Sequence, residues 1–117
     1  MALTYFINRR TTTCVISLKG SLSVNDVGLL EQCLKEATVE QAKYIIINMG
    51  GVKDVEPDMS RPFTLFQQGL RGKGRLFLCD VQPEPEKLLK RVGVLRENEC
   101  VPDLMTCLQL ILNEEKG

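Results

Sequence analysis

Tyr44-Ile45-Ile46-Ile47 is the segment that most restricts what this chain can fold into. An extended backbone sends successive side chains to opposite faces, so a run that is apolar at every position needs a core on both sides. That is a central strand covered by helices above and below. Leu76-Phe77-Leu78-Cys79 has the same character, and between the two runs the segment from Pro62 to Gly74 repeats Phe63, Phe66 and Leu70 at helical spacing. Strand, helix and strand in that order predict a parallel pair joined by a right-handed crossover. Gly50-Gly51 is expected to close the first of these strands.

The flanking segments extend the pattern. Leu3 to Ile7 and Cys14 to Leu18 are rich in β-branched and aromatic residues and enclose the polar stretch Asn8-Arg9-Arg10-Thr11, which predicts an antiparallel pair. Ser23-Val24-Asn25-Asp26 sets a hydroxyl three residues ahead of a carboxylate, a helix-start signature. Val27, Leu30, Leu34 and Ala37 then recur at helical period, with Glu31, Lys35 and Glu36 on the solvent side. Pro85 to Val92, carrying Leu88, Leu89 and Val92 and stopped by Gly93, predicts a third helix. Pro102 to about Glu115, with Leu104, Met105, Leu108, Ile111 and Leu112, predicts a fourth. Cys100-Val101 is a short edge strand between them, and Asn113 to Gly117 reads as a tail. The expected architecture is α/β: a mixed sheet of four to five strands, the N-terminal one antiparallel and the rest parallel, with about four helices, in one domain over residues 1–117.

Composition narrows the function. Fifteen Lys and Arg balance fifteen Asp and Glu, so no net charge draws the chain to nucleic acid or to an anionic membrane. The chain has no His, the commonest general base and metal ligand, and no Trp. The five cysteines sit singly in apolar runs without the close pairing a zinc site uses, so reduced core thiols are expected and no metal or cofactor is implied. The N-terminal apolar stretch is too short for a signal peptide, and no uncharged span reaches the roughly 18 residues a membrane helix needs. A cytoplasmic protein without membrane insertion is the expectation.

Few residues suggest chemistry. Gly69-Leu70-Arg71-Gly72-Lys73-Gly74 has glycines like a phosphate loop, but it leads from helix into strand, the reverse of the order that presents helix amides to a phosphate. Gly72 or Gly74 is read instead as a helix cap, with Arg71, Lys73 and Arg75 solvated near the helix's negative end. Glu31, Glu56, Asp58, Asp80 and Glu84 form no unique acid pair, and no thiol has a His to activate it. The informative stretch is Val52 to Phe63, which leaves the central strand and opens the next helix, expected to begin at Pro62. Asp58 and Ser60 lie just ahead of that start, where either can cap the helix and where the dipole favours an anion.

The order and wording of these segments resemble a STAS domain, the family of bacterial anti-sigma factor antagonists that also occurs at the ends of anion transporters. Cys14 to Leu22 resembles the family's second strand and following Gly, and Val24 to Ala37 its first helix. Tyr44 to Val55 resembles its central strand and approach loop, and Gly72 to Val81 the turn and strand after its second helix. The family carries an Asp-Ser-Ser-Gly motif at the start of that second helix, where a partner kinase phosphorylates the second Ser. Here the motif is altered. One register sets Glu56 at the Asp, Pro57 and Asp58 at the two Ser, and Met59 at the Gly; another sets Asp58-Met59-Ser60-Arg61 on the motif and keeps a hydroxyl.

The resemblance implies a non-enzymatic regulator that docks a protein partner, a kinase-like anti-sigma factor or another signalling protein. The partner-binding residues would be Glu56, Asp58, Met59, Ser60, Arg61 and Phe63, with Ser60 the candidate phosphorylation site and phospho-control lost or altered. A subunit or adaptor of a membrane transport complex is the alternative, and a small-ligand sensor using the crevice at the strand ends is a third. A homodimer is left open.

Overall fold

The computed structural model describes residues 3–10, 12–38, 42–70, 74–93 and 99–116, with the backbone alone at Thr38, Ser60, Leu70, Glu115 and Lys116. The elements run β1 (Thr4–Arg10), β2 (Thr13–Leu22), α1 (Val27–Thr38), β3 (Tyr44–Val55), α2 (Ser60–Leu70), β4 (Arg75–Cys79), α3 (Pro83–Arg91), β5 (Cys100–Val101) and α4 (Leu104–Lys116). One sheet holds the strands in the order β1-β2-β3-β4-β5, with β1 antiparallel to β2 and every other neighbour parallel. This is the α/β architecture expected from the two apolar runs, including the two-residue edge strand.

The runs divide their side chains between two cores. Ile45, Ile47, Leu76 and Leu78 face the larger one with Leu30 and Leu34 of α1, Phe63 of α2 and Leu89 of α3. Tyr44, Ile46, Phe77 and Cys79 face the smaller one with Cys107 and Ile111 of α4. Among the described residues, three helices therefore share one face, and α4 alone covers part of the other. Its buried stripe is correspondingly narrow: of the residues expected inside, Ile111 is buried, Leu104 and Leu108 are half-buried, and Met105 and Leu112 are exposed. Val92, also expected inside, is exposed beyond the end of α3.

Several boundaries differ from the sequence reading. β1 continues through Asn8-Arg9-Arg10, because each of these pairs with a residue of β2. β3 runs through Gly50-Gly51 to Val55, so Val52 to Val55 is strand rather than loop. Its register against β2 shifts twice, first between Ser17 and Lys19 and again between Gly20 and Ser21. Each shift inserts an extra residue into β3 without ending the pairing, as a bulge does. At the first, the Asn48 side chain accepts the Gly50 amide at 2.8 Å, and Gln82 Nε2 donates to the Gly50 carbonyl at 2.9 Å. Only a glycine fits next to it, since a Cβ on Gly51 would stand 2.9 Å from the Leu18 carbonyl oxygen.

α4 extends to Lys116, so most of the expected tail is helical. Gly93 takes φ +81° after α3, as a left-handed helix stop. Arg71, Gly72 and Lys73 lie outside the described residues. Arg75 is not simply solvated: it stacks 4.8 Å from the Phe77 ring centroid and pairs with Glu114. Glu36 likewise has a role, accepting the Tyr5 hydroxyl at 3.0 Å and tying α1 to β1.

Candidate functional site

β3 delivers the chain to the site. Asp54 and Val55 still pair with Ser21 and Leu22, and the Glu56 amide then donates to the Leu22 carbonyl at 2.8 Å. The ladder therefore anchors the turn up to Glu56. Pro57–Met59 forms a 3₁₀ turn, closed by the Met59 amide on the Glu56 carbonyl at 3.0 Å, and α2 starts directly at Ser60. The helix thus begins two residues earlier than Pro62, which sits within its first turn, where the lack of an amide donor costs no hydrogen bond.

Side chains of this segment part by period. Met59 and Phe63 are four residues apart and both fully buried, packed in the larger core with Leu22 and Leu30. Neither lines a docking surface, which corrects the expectation for these two residues; helical spacing from a buried turn turns both inward. Glu56, Pro57, Asp58 and Arg61 are exposed and form the lip. The Ser60 side chain lies outside the described residues.

Glu56 Oε2 accepts the Val24 amide at 3.3 Å, so the lip extends to the turn ahead of α1, where Val24 is exposed. That turn is fixed by Asp26, whose carboxylate accepts the Ser23 amide at 3.2 Å and the Ser23 hydroxyl at 2.9 Å, the reciprocal cap read from the sequence. Among the described residues, the Asp58 carboxylate accepts no hydrogen bond and joins no ion pair, so it does not cap α2 there but stands in solvent beside the helix's positive end.

Sequence reasoning missed a neighbouring feature. Between α1 and α2 lies an open groove of about 300 Å³ lined by Glu31, Leu34, Lys35, Pro62, Leu65 and Phe66. Leu65 falls off the Phe63-Phe66 stripe and is 54% exposed, and that mismatch with the helical period was the signal available in the sequence. A second depression, of about 390 Å³, lies on the uncovered part of the sheet among Thr4, Phe6, Ser17, Lys19, Asn48 and Gly50. Asp80, one of the acids considered, follows β4 with φ +57° and is braced by its amide on the Pro102 carbonyl at 3.2 Å.

Burial shields most of the thiols. All five cysteines are reduced, and all but half-buried Cys100 are buried. Burial, with Glu36 and Cys14 adding to it, pushes Cys33 up to about 12. Burial raises Cys107 to about 11 and, aided by Asp80, raises Cys79 still further. Such groups remain protonated at neutral pH and are poor nucleophiles.

Comparison with known proteins agrees with this architecture. A search of curated proteins gives no match. Among solved structures, an anti-sigma factor antagonist from Mycobacterium paratuberculosis superposes with a TM-score of 0.82 at 14% identity, covering 93% of each chain. RsbS from Moorella thermoacetica gives 0.77 at 16% identity, covering 97% of this chain and 98% of the other. A sulfate transporter family protein from Wolinella succinogenes gives 0.77 at 17% identity, covering 92% and 91%. The STAS domain family model matches residues 6–107, and with the mixed sheet and helix order in agreement this chain belongs to the STAS domain family.

Proposed function

We propose that this STAS domain is a non-enzymatic regulatory module that docks a protein partner through Glu56, Asp58 and Arg61 and the exposed side of α2. A kinase-like anti-sigma factor is the favoured partner. The observation that carries the reading is the division of one short segment into a buried clamp, Met59 and Phe63, and a charged lip held above it. A partner then meets charges that are already positioned, which fixes register and limits wrong pairings.

Phospho-control is lost or altered in this reading. With Glu56 to Met59 on the family motif, Asp58 supplies a permanent carboxylate where relatives carry a phosphorylatable hydroxyl. A phosphate would bring about −1.5 to −2 charge, roughly twice that of Asp58. Exposure of Asp58 supports this register. The alternative, a subunit or adaptor of a membrane transport complex, draws on the likeness in fold to the Wolinella succinogenes transporter family protein.

The test is a binding comparison. The wild-type chain and the double variant Glu56→Lys, Asp58→Lys are used to capture partners from the native lysate, and the captured kinase-like protein is then titrated in purified form. Binding lost in the double variant supports the lip, and unchanged binding refutes it. Incubation with ATP and the partner, followed by mass spectrometry, tests the modification: stoichiometric phosphate on Ser60 would overturn loss of control.

A further inference from the structure

Tyr5 and Ile7 of β1 and Ile16 and Leu18 of β2 turn toward the larger core, so Phe6, Ser17 and Lys19, which alternate with them, face the other way. Val15, the next outward residue of β2, packs against the smaller core beside Leu104 and Leu108 of α4. The depression of about 390 Å³ on the sheet lies beyond that cover. Within it Phe6 is 68% exposed, Ser17 and Lys19 are exposed, and Asn48 is half-buried.

Strand register sets these side chains next to one another. Phe6 pairs with Ser17 and Ser17 with Asn48, so ring, hydroxyl and amide form one row across three strands, about 5 Å apart. Lys19 stands two residues along β2, about 7 Å from that row. Between the two positions β3 takes an extra residue, and Gly50 there brings no side chain to the depression. Bulges and strand glycines recur where a ligand approaches a sheet. Asn48 Oδ1 is occupied by the Gly50 amide at 2.8 Å, which leaves the side-chain NH2 as a donor. Among the described residues, the Lys19 ammonium and the Ser17 hydroxyl make no hydrogen bond or ion pair. No Asp or Glu lines the depression; Asp80 approaches Gly50 from outside the lining.

We propose that this depression binds a small aromatic carboxylate, its ring against Phe6 and its carboxylate held by Lys19, Ser17 and Asn48. The site is separate from the charged lip and independent of the docking reading. An ammonium, a hydroxyl and an amide NH2 with no acid among them call for an anion. One ammonium matches one negative charge, which suits a carboxylate better than a phosphate ester of about −1.5 to −2. The exposed ring supplies a stacking surface, and the separation of about 7 Å between its row and Lys19 is spanned by an arene with a short acid arm. A volume of about 390 Å³ holds such a molecule, while the open mouth and the single charge contact keep its affinity modest.

Titration of the isotope-labelled full chain with indole-3-acetate, followed by amide NMR, tests this; indole-3-acetamide and acetate serve as probes lacking the charge and the ring. The expected result is saturable shifts of the Phe6, Ser17, Lys19, Asn48 and Gly50 amides with a Kd of about 1 mM, and about tenfold weaker binding of either control. Lys19→Met, at an exposed position, is expected to keep the wild-type melting profile and to weaken indole-3-acetate about threefold to fivefold while leaving the acetamide unchanged. Phe6→Ala should weaken both indoles. Absence of saturable shifts up to about 10 mM overturns the proposal. So does equal binding of the acetamide, a set of shifts centred on the groove between α1 and α2, or a Lys19→Met affinity equal to that of the wild type.

Discussion

Phe63→Ala separates the two roles assigned to the segment between β3 and α2. Phe63 is 0% exposed and packs in the larger core with Met59. Truncation to Ala removes the ring and leaves a cavity between α2 and the sheet, a loss of about 3 to 5 kcal/mol. A domain of this size has about 5 to 15 kcal/mol in total, so the loss is a third or more of it near the middle of that range. Its melting temperature should fall by roughly 12 to 20 °C. Asp58→Lys, at an exposed position, should cost under about 1 kcal/mol, essentially the lost interaction with the start of α2. Urea unfolding followed by circular dichroism reads both values. A Phe63→Ala loss under about 1 kcal/mol, or an Asp58→Lys loss above about 2 kcal/mol, would refute the division into clamp and lip.

Other outcomes follow from local geometry. Gly51→Ala should cost about 1 to 3 kcal/mol in the same urea assay, because its Cβ meets the Leu18 carbonyl at 2.9 Å and backbone cannot yield cheaply. With Ellman's reagent at neutral to mildly alkaline pH, Cys100 should react first, and Cys33, Cys79 and Cys107 only on unfolding. Their raised native values also set a pH dependence: above the ordinary thiol value of 9.0 the unfolded chain releases protons that the folded chain keeps, so stability falls with rising pH. The slope is up to about 1.4 kcal/mol per pH unit for each such thiol, and Cys107 drops out as pH passes about 11. Asp80→Gly should be near neutral and Asp80→Val should cost about 1 to 2 kcal/mol, since φ +57° excludes a β-branched side chain; thermal melts of the pair check this.

The sheet was legible because its central strands are apolar on both faces. Tyr44 to Ile47 and Leu76 to Cys79 admit few other environments, and their order dictates parallel pairing. The ends of strands were less legible. Gly50-Gly51 reads as a stop, yet the bulges let β3 absorb both glycines and continue to Val55. That the segment from Glu56 to Phe63 links β3 to α2 was legible, but which of its residues are exposed was not. Exposure along it depends on where the first turn starts: with Pro57–Met59 already turning, Met59 and Phe63 fall on one inward line. The same limit hid the groove beside Leu65, which exists only because α1 and α2 lie side by side.

The twelve residues of β3 reach past the end of β4 and hold two bulges on the way. The charged turn is consequently mounted on the longest strand among the described residues instead of hanging from a slack loop. A visitor need not freeze the backbone of the turn as it lands, which spares much of the ordering entropy that flexible surfaces lose on association. Changes in charge there should accordingly register as altered residence time of the complex, with the shape of the turn itself unaltered.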